Sequence, residues 1–303
     1  MYGILIIDKP EGITSHDVVA RIRRILGTRR VGHTGTLDPF ATGVMVTLVG
    51  KATRLAQYLD KDEKEYEAAV RFGFETDTGD RTGLPRTGSE IENHDGLVTI
   101  GELDAVLPRF LGEIEQVPPM YSAKKIDGGK LYESARKGIE VERQPVKITI
   151  REIEIIGLDE AADAASLIEA LRIRVVCSAG TYVRTLAEDI ARSAGGRAHL
   201  AELRRTRSGR FDLSISHTLD GLAEMENPRL ALLPIETAVS HLTSVTLNAD
   251  RAEKTRNGLS TRVFDMGFVD EQPIVLRNEQ RKLIAVGVYV EAQNSIRPKV
   301  VLV

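Results

Sequence analysis

The sequence predicts an α/β (α+β) protein, on three observations. Apolar residues alternate in KEYEAAVRF (64–72), in KITIREIEIIG (147–157) and through Leu171, Ile173, Val175 and Cys177, as half-buried strands require. Helix starts with capping residues lie between such runs, as at Thr14 with Asp17 and Thr99 with Glu102. From Leu242 the pattern changes to short alternating runs, which predicts a large domain over 1–241 and a small β-rich domain over 242–303.

In chain order, GILII (3–7) is a short strand closed by a turn at Asp8-Lys9-Pro10-Glu11-Gly12. Thr14 and Asp17 cap a helix whose buried face is Val18, Val19, Ile22, Ile25 and Leu26, and Gly27 stops it. GHTGTLDP and FATG read as a loop, Val44–Val49 as a buried strand, and Gly50 opens a helix through Tyr58 and Leu59. After the strand 64–72, TDTGDRTG (76–83) is a polar turn. The helix begun at Thr99 continues to Phe110 and Leu111, with Pro108 as a kink. Residues 118–146 are basic and glycine-containing. They read as an insertion with a helical piece near Leu131–Arg136. The strands 147–157 and 171–177 follow, then a loop SAGT and a helix through Leu186, Ala187 and Ile190 that ends at Gly195-Gly196. The pattern then weakens through Pro234. The terminal runs are TSVTL, TRVF, PIVLR, KLIAVGVYV and KVVLV, with one helix start near Ala252.

Bulk properties bound the function. The 303 residues are 42% hydrophobic and 28% charged, as in an ordinary globular protein. No apolar run is long enough to span a bilayer, and MYGILIIDKPEG has no basic n-region or cleavage site, so it reads as a first strand and not a signal peptide. The one cysteine, Cys177, leaves no intramolecular disulfide and fits a reducing cytoplasm. On an alternating strand it reads as a small core residue. The net charge of −3 conceals a bipolar distribution. RIRRILGTRR (21–30) has five arginines and no acid, and RAHLAELRRTRSGR (197–210) has five against one glutamate. The compensating acids concentrate in 75–115 and 152–170. Such a surface can hold a polyanion on one face, although scattered, solvated arginines would have the same composition.

GHTGTLDP (32–39) surrounds a single carboxylate, Asp38, with glycines, threonines and a proline, and no other acid lies between Asp17 and Asp60. An aspartate here can be a nucleophile, a general base, a metal ligand or the start of an Asx-type turn. Pro39 pushes residue 38 into an extended conformation, and Gly32 and Gly35 permit close approach of a bulky ligand. No second carboxylate, histidine pair or CxxC stands at ligand spacing, which argues against a metal. No GK[ST] follows the glycines, which excludes a phosphate-binding P-loop.

GHTGTLDPFATG (32–43) resembles the catalytic-aspartate motif of the TruB family of pseudouridine synthases. The resemblance extends, in family order, to DKPEGITS (8–15), KEYEAAVRFGFETDTGDRTG (64–83), QVPPMYSAKKIDGGKLYESARKG (116–138), CSAGTYVRTLAEDI (177–190) and LRRTRSGRF (203–211). It implies a pseudouridine-synthase fold, with a central mixed and mainly antiparallel sheet flanked by helices, followed by a PUA-like RNA-binding domain. It implies isomerisation of uridine 55 in the tRNA T loop by base flipping, with Asp38 as nucleophile. A carboxylate suits this role because it can attack or stabilise a ribosyl centre while charged.

The same resemblance makes Arg184 the partner that keeps Asp38 ionised, Tyr66 the residue that stacks on the base, Tyr182 a second active-site tyrosine, and Leu203 a wall of the pocket. It puts His33 beside the flipped nucleotide and lets Lys9 contact phosphate or brace the loop. Lys124, Lys125, Lys130, Arg204, Arg205 and Arg207 become candidate phosphate contacts. It implies no cofactor and no metal, a tRNA partner engaged at the T arm and towards the acceptor stem, no membrane, a monomer, and a cytoplasmic location. On residue type alone Tyr66 reads as core, and Arg184 as one half of a surface ion pair. Phe40 and Glu75 are unexpected at their positions. Two other functions remain open: a non-catalytic tRNA-binding chaperone, and a guide-RNA-dependent synthase.

Overall fold

The computed structural model describes residues 1–302 except 87–95, 123–124, 127–128, 132–134, 136, 158–163 and 265–266, and leaves aside the side chains of 125, 126 and 130. The described strands are β1 (Gly3–Lys9), β2 (Val31–Thr34), β3 (Thr42–Val49), β4 (Lys64–Phe72), β5 (Val98–Thr99), β6 (Gly112–Gln116), β7 (Lys125–Ile126), β8 (Gly129–Lys130), β9 (Val146–Gly157), β10 (Leu167–Ile168), β11 (Ala170–Cys177), β12 (Ala198–Ser208), β13 (Phe211–Asp212), β14 (Ser244–Leu247), β15 (Thr261–Arg262), β16 (Pro273–Asn278), β17 (Leu283–Val290) and β18 (Ser295–Val301). The described α-helices are α1 (Ser15–Leu26), α2 (Ile100–Val106), α3 (Val183–Ser193), α4 (Leu219–Glu224) and α5 (Ala249–Arg256).

Nine strands form the main sheet in the order β1-β3-β12-β4-β11-β9-β6, with β2 on β3 and β13 on β12. All pairs are antiparallel except β3 with β12, so the sheet is mixed and mainly antiparallel as expected. The alternation in β4 is real: Tyr66, Ala68, Val70 and Phe72 are buried while their neighbours are not. That apolar face takes Leu186, Ala187, Ile190 and Ala191 of α3 into one core. On the first strands, α1 covers Leu5, Ile7, Met45 and Val49 with Val18, Val19, Ile22 and Leu26. Its capping box is complete between Thr14 and Asp17, and Gly27 ends it in the left-handed conformation.

Several boundaries differ from the sequence reading. β1 runs on through Lys9, because that lysine turns inward and is fully buried. Residues 32–34, read as loop, belong to β2, so the true loop is 35–41. The segment Gly50–Tyr58 is a 3₁₀ helix. α2 passes into a 3₁₀ turn at Leu107–Phe110 that contains Pro108. The insertion contains a short hairpin, β7 and β8, and its expected helical piece at 131–136 lies largely outside the described residues.

The largest omission is β12, eleven residues inside the arginine stretch. Its inward positions include Arg205, only 1% exposed, so a polar residue stands where the strand pattern calls for an apolar one. Gly43 allows β3 to approach it. A side chain there would begin 2.2 Å from the carbonyl oxygen of Arg205, and φ is 101°.

The C-terminal segment is a five-stranded sheet, β14-β16-β17-β18-β15, with α5 against it. α5 starts at Ala249, earlier than the expected Ala252, because Asn248 caps it. One side of this sheet packs on Leu247, Ala252 and Ile296. From the other side Val275, Val286 and Val300 join Leu55, Leu59 and Val239 of the preceding chain in a single core.

Candidate active site

Asp38 sits in the loop between β2 and β3, and that loop is fixed from below. The ammonium of Lys9 donates to the carbonyls of Pro10 (2.9 Å), Pro39 (3.2 Å) and Ala41 (2.7 Å). Ser15 Oγ accepts from Leu37 N–H at 2.9 Å and donates to Leu37 O at 3.0 Å. Leu37, Phe40 and Ala41 are buried in the main core, so Phe40, unexpected in the sequence, anchors the loop. Gly35 has a φ of 65°, and its carbonyl accepts from Arg205 at 2.9 Å. Gly32, by contrast, lies within β2 and makes no such turn.

The Asp38 carboxylate opens onto two recesses. One, of about 290 Å³, is walled by Tyr66, Tyr182, Leu203, Arg205, Lys64 and Ser122. The other is lined by Thr14, Ser15, His16, Asp80 and Tyr121. Arg184, 4% exposed, donates from Nε to Asp38 Oδ2 at 3.0 Å. Its other nitrogens donate to Thr78 O at 2.5 Å and Tyr121 O at 2.7 Å, and Nη1 lies 3.6 Å from Asp80 Oδ2. One guanidinium therefore ties the Asp38 loop to the 76–83 turn and to the insertion. Burial pushes the Asp38 carboxyl above the ordinary carboxylate range. Asp80 adds to that rise, and Arg184 and Lys9 oppose it.

Tyr66 projects from mid-β4 and is 8% exposed. Burial raises its phenol pKa, and the neighbouring Arg205 pulls it back. Tyr182 is the N-cap of α3, and Gln116 holds its backbone on both sides. Tyr182 N–H donates to Gln116 Oε1 at 2.9 Å, and Gln116 Nε2 donates to Tyr182 O at 3.1 Å. Burial raises the Tyr182 phenol as well, with Ser122 and Arg184 opposing.

The structure brings Asp38, Tyr66, Tyr182, Arg184 and Leu203 together. It places others elsewhere. Lys9 is a brace and not a phosphate contact: it is wholly buried, and desolvation lowers its pKa to about 8. Arg205 is likewise not an outer phosphate contact, since its Nε donates to Val44 O at 2.6 Å and it walls the recess from below. Arg204 is half-exposed but bidentate on Asp8, and Arg207 faces Glu65 at 3.4 Å. Lys125 and Lys130 pair across the short hairpin, and Lys124 lies outside the described residues. His33 stands on β2, its ring 5.8 Å from that of His16. Its Nδ1 is buried without a partner, and burial, His16 and Arg205 bring its pKa down to about 4, so it is neutral near pH 7.

Asp80 and Gln116 were not singled out from sequence. Asp80 sits inside the TDTGDRTG motif and Gln116 opens the motif QVPPMYSAKKIDGGKLYESARKG, and those motifs were the available signals. Cys177 is a core residue, as read, and burial pushes its thiol up to about 11. Among the described residues no cluster of His, Cys, Asp or Glu could hold a metal, and no helix is long and apolar enough to cross a membrane.

Residues 23–183 match the model of the TruB family pseudouridylate synthase N-terminal domain, and 184–240 that of the tRNA pseudouridylate synthase B C-terminal domain. The chain is 43% identical to tRNA pseudouridine synthase B of Geobacillus thermodenitrificans over 95% of each chain. It is 46% identical to tRNA pseudouridine synthase B of Aromatoleum aromaticum over 82% of this chain and 78% of that one. Among solved structures, a Cbf5–Nop10–Gar1 complex superposes with a TM-score of 0.74 at 27% identity, covering 99% of this chain and 85% of that chain. An H/ACA RNP bound to a substrate RNA containing 2′-deoxyuridine gives 0.71 at 26%, covering 99% and 85%. Fold and matches together define the class, a pseudouridylate synthase. Within it, the chain belongs to the TruB family.

Proposed function

We propose that the chain isomerises uridine to pseudouridine in tRNA, at position 55 of the T loop, with Asp38 as nucleophile on a flipped-out nucleotide. The observation that carries this is Asp38 itself. It is a carboxylate set on a rigid loop at the junction of two recesses, paired with a buried arginine and faced by two tyrosines. The N1–C1′ bond breaks, the uracil turns, C5 bonds to C1′, and the C5 proton leaves while N1 gains one. The isomerisation involves no net oxidation or reduction, so it calls for no redox cofactor.

Asp38 attacks or stabilises the ribosyl carbon, and Arg184 aims it. Tyr66 stacks on the base, Leu203 closes the recess, and Tyr182 lies by the base or Asp38. His33 stands beside the space the flipped nucleotide vacates. The recess is near the lower size limit of small-molecule pockets, about 300 Å³, which suits one base and holds it against escape while the glycosidic bond is open. Residues 1–241 form the catalytic domain, and 242–303 form a PUA-like domain that extends the RNA footprint towards the acceptor stem. The enzyme acts as a cytoplasmic monomer, since one chain carries the whole constellation.

Tritium release from tRNA labelled at uridine C5 tests the chemistry. Wild type should release tritium and Asp38→Asn should not, while both bind tRNA. Equal release from the variant would remove Asp38 from the reaction. Tight binding with no release from either would favour the tRNA chaperone. The likeness to the Cbf5 complexes favours one second reading, a guide-RNA-dependent synthase. Turnover of a bare tRNA transcript without any guide separates the two.

A further inference from the structure

The catalytic constellation leaves one cationic surface unused. Arg24, Arg29 and Arg30 are exposed on α1 and the turn after it. Among the described residues none of them has a carboxylate within ion-pair distance, and Asp38 is the one acid in the chain from residue 18 to 59. Several arginines elsewhere on the main sheet are already neutralised: Arg172 by Glu202, Arg174 by Glu152 and Glu154, Arg204 by Asp8. Unpaired, solvated like charges crowded on one surface repel one another, and a polyanion relieves that repulsion.

The position of these charges is specific. β2 pairs with β3 alone, so its outer side is an edge of the main sheet, and it leads directly into the loop of Asp38. The helix α1 begins at Thr14–His16, which line the second recess, and extends about 18 Å at 1.5 Å per residue. At the far end Gly50 N–H donates to Arg30 O at 2.8 Å, which brings in Lys51 and Arg54 of the 3₁₀ helix. Arg54 donates to Val301 O of the C-terminal sheet at 2.5 Å.

We propose that this strip is a phosphate-backbone track. The substrate RNA, on leaving the Asp38 recess, runs along α1 and the β2 edge towards the C-terminal sheet. The proposal rests on the reading of the chain as an RNA-modifying enzyme. An apolar protein partner does not fit, because the large hydrophobic side chains exposed beside the strip are limited, among the described residues, to Met1 and Tyr2 at its Gly50 end. A membrane surface does not fit either, because the apolar face of α1 is spent in the core.

The test is the combined variant Arg24→Gln, Arg29→Gln, Arg30→Gln, with Arg172→Gln as control, each measured for tRNA affinity across salt concentrations and for tritium release. The triple variant should weaken tRNA binding roughly tenfold or more, and lower the slope of log affinity against log salt by about two to three. Turnover at saturating tRNA should stay within about twofold, because the variant removes only phosphate contacts. Arg172→Gln should match wild type. Wild-type affinity and an unchanged salt slope in a folded triple variant would overturn the track. Absence of tritium release from wild type would instead sink the enzymatic reading, while the salt slopes would still report on the track.

Discussion

Asp38 meets two opposing demands. In the proposed reaction it acts ionised on a ribosyl centre, yet its partly buried setting disfavours that charge. Arg184 offsets the desolvation without cancelling it, so the carboxyl remains above its ordinary range. The consequence is kinetic: the fraction of ionised Asp38 falls as pH drops through that raised value. The acid limb of kcat/KM should therefore lie above the usual carboxylate range near 4. A pH–rate profile on tRNA under single-hit conditions measures it, and a limb at or below 4 would contradict the desolvated setting. Arg184 is legible in sequence only through the motif CSAGTYVRTLAEDI. Its partners Thr78, Asp80 and Tyr121 are over sixty residues away in the chain, and only folding brings them to it.

At the scale of elements, α3 positions this arginine, and a second ionic cluster seats α3. Glu75, buried at 5% exposure, accepts from Arg192 at 2.7 and 2.9 Å and also faces Arg86 and Arg197. That accounts for Glu75, which is unexpected at its position on sequence alone. Glu188, one turn after Arg184, is buried against Gly79 of the 76–83 turn. Burial lifts its pKa to about 7, with Arg86 and Arg192 opposing. The folded chain thus holds this proton more tightly than the unfolded chain. The stabilisation is fully present below the unfolded value of about 4.5 and is lost as pH rises through about 7. Glu188→Gln should accordingly raise Tm at pH 8 relative to wild type, and change it little at pH 4.5. Thermal unfolding of both proteins at the two pH values checks this. A lower Tm for the variant at pH 8 would mean that the pairing with Arg192 outweighs the burial.

For the whole molecule, the two sheets are not beads on a string. Val275, Val286 and Val300 of the C-terminal sheet share a core with Leu55, Leu59 and Val239, so neither part completes its packing alone. Unfolding by denaturant should be a single transition when followed at probes in both parts. Val286→Asp, which buries a charge at 0% exposure, should destabilise both together by more than about 3 kcal/mol. Two separated transitions in wild type would show the parts to be independent.

Sequence by itself determined the elements whose information is local. The β4 alternation, the two capping boxes and the helix stop at Gly27 all follow from neighbours within a few residues. So did the position of Asp38, since glycines and a proline constrain its own loop. Tertiary structure alone decided what Lys9 and Arg205 do. Lys9 read as either a phosphate contact or a brace and Arg205 as a phosphate contact, and both are buried on backbone carbonyls about thirty and over a hundred residues away. The strand β12 was hidden for the same reason. A buried arginine can satisfy a core position when distant carbonyls accept its protons, and no local pattern announces where those carbonyls will be.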